Sequence, residues 1–411
     1  MCIDSTQHIG CCNCWISEPC ATLCSDDRCR FARPSAFGSM DERISEHART
    51  LVDWSARVER GDDVVVSVGA GAHDLAVAVC AELGERGANV VTTYSSGELD
   101  RAYLLAHDGE FDGSDAELAL YEASDVVLRL GGPLNTTATA DVPGETQAAH
   151  ARANKRAREA RLDTRWVSTV HPTRALAQQA GMAFEEYRDF AYDAILRDWE
   201  VLAEEMANLK QILDDGSEVH LVTERDSQPS TDVTMSIEGR VAVNSAASVA
   251  YDSHNLPSGE VFTAPHGTEG EVFFDVPMTL QGRRVRDVWL SFEGGEVVDF
   301  SAGANEEVLA DVLDTDPGAR RLGELGIGMN RGIDRFTDNV LFDEKMGDTV
   351  HLAVGRAYSS NFPEGHENEA NDSAVHVDMI TDVSERSRIE VDGEVVQRNG
   401  RFRWEAGFEN A

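Results

Sequence analysis

The sequence predicts an α/β protein in two parts: an N-terminal Rossmann-like parallel α/β domain, then a C-terminal strand-rich α+β domain. Three observations lead there. Between residues 63 and 169, short valine-rich runs alternate with helical stretches, the pattern of a parallel sheet covered on both faces. From about residue 218 onward, period-two strand patterns separated by Gly, Asn and Asp replace that alternation. The length, 411 residues, exceeds what one ordinary core of roughly 100–200 residues organises.

Composition bounds the function. With 42% hydrophobic and 27% charged residues, the chain has a globular balance. No apolar run approaches the roughly 18–20 residues that span a bilayer, so a soluble chain with no membrane partner is expected. The charge is lopsided: 74 acidic against 36 basic residues, a net charge of -38. Only three of the basic residues are lysines, Lys155, Lys210 and Lys345. An acidic excess spread over the whole chain works against a compact state unless salt screens it, and at 1 M the screening length falls to about 3 Å. The composition therefore predicts a halophilic, cytoplasmic setting; an ordinary acidic protein would explain the charge but not the scarcity of lysine. Nucleic acid is disfavoured as a partner, because a phosphate backbone needs a basic footprint.

Seven of the eight cysteines lie in the first 29 residues, without the paired C-x-x-C spacing of zinc sites. At Met40 the text changes to an acidic helical pattern, so residues 1–39 read as a Cys-rich extension outside the fold, upstream of a start at Met40. A helix over about 41–58 follows. Asp63–Val68 reads as a buried strand, Gly69-Ala70-Gly71 as a turn, and 73–86 as a helix. Further strands are expected at Ala88–Tyr94, Asp125–Leu130 and Thr164–Thr169. Phe184, Tyr187, Phe190, Ala194, Ile195, Trp199, Leu202, Met206 and Leu209 recur at helical spacing, predicting one long helix over 183–214 stopped by Gly216. These elements divide the chain into 40–214, an N-terminal α/β domain with a linking helix, and 215–411, a C-terminal domain.

The Gly69/Gly71 turn after a strand is a place where backbone N–H groups and a helix N-terminus could meet a pyrophosphate. Asp74 stands at the third position of that fingerprint and puts negative charge where a phosphate would lie. A plain tight turn accounts for the glycines better, and no cofactor-binding residues are assigned here.

Four segments of the second half concentrate metal-competent side chains among glycines. They are Asn255–Pro265 with Glu260, Leu322–Asn330 with Glu324, Asp343–Gly355 with Glu344 and His351, and Ser373–Ile380 with His376 and Asp378. His376 and Asp378 are two apart on an expected strand, so both face one side and can converge on one ion. Imidazole with carboxylate suits zinc, cobalt or manganese. A buried carboxylate without a partner is costly, so Glu260 and Glu324 in apolar surroundings call for a cation or strong donors. On chemistry alone, a metal site and ordinary surface or core roles both stay open.

In these motifs the chain resembles the thermophilic-aminopeptidase family of metallopeptidases, of the aminopeptidase T and aminopeptidase S type. The resemblance runs from about Met40 to the C-terminus. It rests on S-G-E-V-F-T-A-P at Ser258–Pro265, L-G-E-L-G-I-G-M-N at Leu322–Asn330, D-E-K-M-G-D-T-V-H-L-A-V-G at Asp343–Gly355 and H-V-D-M-I at His376–Ile380. Trp166, Pro172-Thr173, Ala180-Gly181-Met182 and Thr231–Arg240 add supporting matches. Val377 departs from a position where the family often has tryptophan, and Ala246-Ala247 from a more polar loop. The Cys-rich first 39 residues have no counterpart.

The resemblance implies an exopeptidase that removes N-terminal amino acids from peptide substrates with two divalent metal ions, zinc, cobalt or manganese. It implies Glu260, Glu324, His351, His376 and Asp378 as metal ligands, with Glu324 bridging. Glu344 would be a further ligand or the general base, and Tyr358 would donate its phenolic O–H to the tetrahedral intermediate. It also implies a homodimer with its sites facing an enclosed cavity. Two other readings compete: a nucleotide-dependent oxidoreductase using the Gly69/Gly71 turn, and a non-catalytic metal-binding relative.

Overall fold

The computed structural model describes residues 41–410, so the Cys-rich extension lies outside the described residues. The fold is mixed α/β, with one parallel sheet and two antiparallel ones. The parallel sheet is built from β1 (Asp63–Gly69), β2 (Asn89–Ser95), β3 (Val126–Gly131) and β4 (Arg165–Val170), in the order β2-β1-β3-β4. The short strand Asn255–Leu256 extends it past β4, also parallel. The Rossmann-like expectation therefore holds, with strand ends within a residue or so of those read from the valine runs.

On one face, α1 (Glu42–Arg49) packs on α2 (His73–Arg86), and Ala48, Leu51, Leu75, Val79 and Leu83 are fully enclosed. α2 ends where Gly87 turns left-handed at φ +79° and its N–H reaches the Leu83 carbonyl, a conformation that costs glycine little. The link from β2 to β3 carries α3 (Gly97–Ala106) and α4 (Asp115–Glu122), and that from β3 to β4 carries α5 (Gly144–Ala153) and α6 (Lys155–Leu162). These four helices bury few side chains: Leu104 in α3, Ala157 in α6 and none in α4 or α5.

The single helix expected over 183–214 is two helices after the short α7 (Arg174–Gln179): α8 (Phe184–Ile195) and α9 (Trp199–Asp215). Leu196 leaves the helical region at ψ 52°, and the Asp198 carboxylate accepts the Val201 N–H at 3.2 Å, capping α9. The apolar repeat runs unbroken across this joint, so periodicity hides it. Gly216 does stop α9, but in an extended conformation, where a Cβ would collide with Val391.

The long antiparallel sheet takes in Glu218–Thr223, Thr231–Ser236, His266–Phe274 and the hairpin Arg283–Glu293/Glu296–Ala304, with C-terminal strands from Ser387 onward. The second antiparallel sheet carries the chemistry. Its strands are β5 (Glu260–Thr263), β6 (Leu322–Gly328), β7 (Thr349–Gly355) and β8 (His376–Asp382), in the order β8-β7-β6-β5, with Val243–Ser245 beyond β5. Tyr187, Phe190, Ala191 and Ala194 of α8 share a buried cluster with Phe342, Met346 and Ile380. Asn330 fastens that layer, donating its amide to the carbonyls of Ala194 (3.0 Å) and Ser258 (2.8 Å). Only Pro257, Ser258 and Gly259 separate the last strand of the parallel sheet from β5. Gly259, at φ +115°, lies so close to Asn330 that a Cβ would come within 2.8 Å of it.

Candidate metal centre

Strand register brings the five expected ligands onto one face of the second antiparallel sheet. Glu324 lies opposite Ala353 and Ala353 opposite Asp378, so the two carboxylates flank a methyl group. His351 lies opposite Gly326, Glu260 opposite Gly328, and His376 opposite Gly355. Because side chains alternate along a strand, residues 324, 326 and 328 share that face, as do 351, 353 and 355. The spaced glycines of L-G-E-L-G-I-G now have a cause. The imidazole of His351 fills the volume where a Gly326 Cβ would stand, and the backbone of Met346 closes on Gly328 in the same way.

The donor atoms converge. Nε2 of His351 is 3.1 Å from Oε1 of Glu324; Nε2 of His376 is 3.3 Å from Oε2 of Glu324 and 3.4 Å from Oδ1 of Asp378. One ligand atom each from Glu324, His351 and Asp378 fall within 4.8 Å of one another. Each imidazole is held through its other nitrogen: Nδ1–H of His351 donates to the Glu344 carbonyl (3.0 Å) and Nδ1–H of His376 to the Arg356 carbonyl (2.7 Å). Both Nε2 atoms are thereby aimed into the cluster, the arrangement by which metal-binding histidines are oriented. Glu260 stands at the edge, with Oε2 3.9 Å from Nδ1 of His351 and without a hydrogen bond.

Lys345 is the residue that the motifs carried unremarked. Its side chain is fully buried, with Nζ 3.3 Å from Oε1 of Glu260 and paired also with the Glu344 carboxylate. A signal existed in the sequence, since one of only three lysines falls inside D-E-K-M-G. Even so, four carboxylates (Glu260, Glu324, Glu344, Asp378) face one lysine. Burial pushes the Glu260 carboxyl up, against the pull of Lys345 and His351. Burial acts the same way on Glu324 and Asp378, but hydrogen bonds from His351 and His376 hold Glu324, and one from His376 with the nearby His351 charge holds Asp378, below the usual carboxylate range. Against the effect of burial, Asp378 and Glu324 carry His376 up to about 10, and Glu324 raises His351. An enclosed site with this acidic excess, two aimed imidazoles and an orphaned Glu260 oxygen fits divalent cations.

Tyr358 sits at the rim, its ring against His376 with centroids 4.9 Å apart. Burial and the Glu324 and Asp378 carboxylates raise its phenol, keeping the O–H intact at neutral pH. Beside His376 and Asp378 opens a cavity of about 380 Å³ whose apolar walls include Met278, Leu280, Phe336 and Val340. The Gly69/Gly71 turn lies apart from this cluster. There the Gly71 N–H donates to the Gly132 carbonyl at 2.7 Å and the Ala72 N–H to Gly69, so both are already paired.

A family model described as Thermophilic metalloprotease (M29) matches residues 40–402, nearly the whole chain. The chain belongs to the M29 family. M29 relatives include Aminopeptidase T of Thermus thermophilus, 31% identical over 403 residues, which cover 87% of this chain and 95% of that protein. Aminopeptidase T of Thermus aquaticus is 38% identical over 179 residues, and Aminopeptidase 2 of Geobacillus stearothermophilus 39% over 140. Those two alignments span 43% and 33% of the relatives' lengths, under half in each case. The solved structure of wild-type AmpT from Thermus thermophilus superposes with a TM-score of 0.76 at 26% identity, covering 89% of this chain and all of that one. The M29 fold and the sheet arrangement described above thus agree. Among the described residues, no helix is long and apolar enough to cross a membrane.

Proposed function

We propose that this M29 protein is an aminopeptidase that hydrolyses the N-terminal residue from peptides with two divalent cations. The observation that carries the reading is the set of five donors on one sheet face, both imidazoles pinned through Nδ1 and aimed through Nε2. Glu260, Glu324, His351, His376 and Asp378 would hold the cations, with Glu324 between the two histidines. Divalent cations in such a pair supply charge that polarises the scissile carbonyl and makes water acidic enough to attack near neutral pH.

The chain's own residues do the rest. Glu344 opens onto the substrate cavity and is placed to take a proton from the attacking water and pass it to the leaving amine. The Lys345 amine stands against the Glu344 and Glu260 carboxylates and opposes the upward push of burial on Glu260. Tyr358 donates its O–H toward the oxygen on which negative charge develops. The carboxylates beside the cluster attract the free α-ammonium group, which restricts cleavage to the terminus. The apolar wall of Met278, Leu280, Phe336 and Val340 supports an aliphatic or aromatic residue at the cleaved end.

The test uses the protein purified in molar KCl, the condition that its net charge of -38 favours, as the same reading places it in a salt-rich cytoplasm. Release of amino acid from leucine p-nitroanilide and from a short peptide is measured before EDTA, after it, and after adding back zinc, cobalt or manganese. Activity that disappears and returns supports the reading. A folded, metal-loaded protein that cleaves no peptide would leave a metal-binding relative without this chemistry. Gel filtration in the same buffer tests the homodimer that the family resemblance implies.

A further inference from the structure

The parallel sheet carries a polar row where a sheet covered on both faces ordinarily carries aliphatic side chains. Thr93, Ser67, Arg129, Ser168 and Asn255 stand in register across all five strands and so share one face. Two residues nearer the strand starts, the corresponding row is Val91, Val65, Val127 and Trp166. Ser67, Arg129 and Ser168 of that row line a cavity of about 310 Å³ at the C-terminal ends of β1 to β4. That volume lies at the lower end of small-molecule sites, roughly 300–1,000 Å³. The position is also informative. In the order β2-β1-β3-β4 the chain's crossovers change sides between β1 and β3, and open α/β sheets bind ligands in the crevice at that switch.

The cavity has two poles. Arg129, on the central strand β3, lines one side; Glu98 and Asp100, at the start of α3 beside the end of β2, line the other. The ion pairs around this sheet join Arg86 to Asp53, Arg101 to Asp141, Lys155 to Glu159 and Arg165 to Asp62. Among the described residues none takes in Arg129, Glu98 or Asp100. β2, which leads into α3, and β3, which carries Arg129, stand either side of β1, about 10 Å apart at the backbone. A phosphate fits poorly, because the two carboxylates repel a dianion and the Gly71 and Ala72 N–H groups are already spent on the Gly132 and Gly69 carbonyls.

We propose that this crevice is a second binding site, apart from the metal centre, for a small zwitterion: an α-amino acid or dipeptide, its carboxylate on Arg129 and its ammonium on Glu98 and Asp100.

The experiment is isothermal titration calorimetry on the full chain stripped of metal by EDTA, so that the metal centre does not hold an amino acid. The titrants are leucine, leucyl-leucine, leucinamide, 4-methylpentanoate, AMP and inorganic phosphate. Leucine or the dipeptide binds at one site, and the tighter of the two identifies the natural source. Leucinamide and 4-methylpentanoate, each lacking one charge, bind roughly tenfold more weakly or worse. Arg129→Gln weakens the zwitterion to the same degree, while Glu324→Gln leaves it unchanged. Ser67→Leu, which fills the cavity beside Arg129 without removing either charge, abolishes binding and serves where Arg129→Gln does not fold. No binding of either zwitterion, binding indifferent to both Arg129→Gln and Ser67→Leu, or tighter binding of AMP or phosphate would each overturn the proposal.

Discussion

The imidazole of His351 lies in the space that a side chain on Gly326, its cross-strand partner, would need. The geometry of the metal site is therefore set as much by an absent Cβ as by the ligands. Gly326→Ala should displace the ring, lower metal affinity by more than the roughly 10–100-fold typical of losing an orienting contact, and remove activity. Metal content after dialysis, measured by mass spectrometry beside the peptide assay, checks this. Retained metal with retained activity would show that the ring has room elsewhere.

Tyr358 packs its ring on His376 and makes no hydrogen bond to a ligand oxygen in its resting position, which fits a group that acts only when charge develops on substrate. Tyr358→Phe should lower kcat by about 10²–10³ with KM little altered, the signature of an interaction made in the transition state. Steady-state kinetics on one peptide decide it; a change confined to KM would make Tyr358 a binding residue.

Lys345 is buried against two carboxylates, and removing one partner of a buried pair leaves the other charge uncompensated. Lys345→Met should destabilise the metal-free protein by about 3–5 kcal/mol in urea unfolding. The loss should shrink when zinc is added, since a cation then takes up the charge of Glu260. An equal loss with and without metal would mean that Lys345 serves packing alone.

A pH effect follows from His47, on α1. Thr169 donates its hydroxyl to the Leu256 carbonyl (2.7 Å), so its oxygen accepts from Nε2–H of His47 (2.7 Å) and leaves Nδ1 unpaired. Burial, with His171 nearby, pushes His47 down to about 3 from the ordinary 6.5. Below 6.5 the unfolded chain binds a proton that the folded chain refuses, so stability is full above 6.5 and falls as pH drops toward 3. Between pH 7 and pH 5 this group alone removes about 2 kcal/mol. Urea unfolding of wild type and His47→Gln at both pH values isolates it, and parallel pH profiles would refute the assignment.

How much of this was legible in the sequence depends on the range over which each feature is decided. Asp63–Gly69 and His73–Arg86 are decided locally, by a valine run, a Gly turn and a helical repeat, and could be read almost to the residue. The motifs around Glu260, Glu324, His351, His376 and Asp378 could be read as metal-competent, because each strand pattern fixes which residues share a face. The joint at Leu196–Asp198 could not, because a cap interrupts the backbone without interrupting the apolar repeat. The polar row through Ser67 and Arg129 was hidden for a different reason: it exists only once register aligns strands 62 residues apart. Gly326 and Lys345 likewise depend on partners that chain order does not bring near.

The scarcity of lysine has a practical side. Lys155 is exposed and Lys210 half-buried, their side chains 64% and 33% accessible, and each pairs with an acid one helical turn on. Lys345 is enclosed. An amine-acylating reagent applied to the folded protein therefore marks two lysines and meets the third only when the sheet behind the metal site comes apart. Acylation at that one position becomes a clock for the opening of the site, readable in a single tryptic-resistant peptide against an almost silent arginine-rich background.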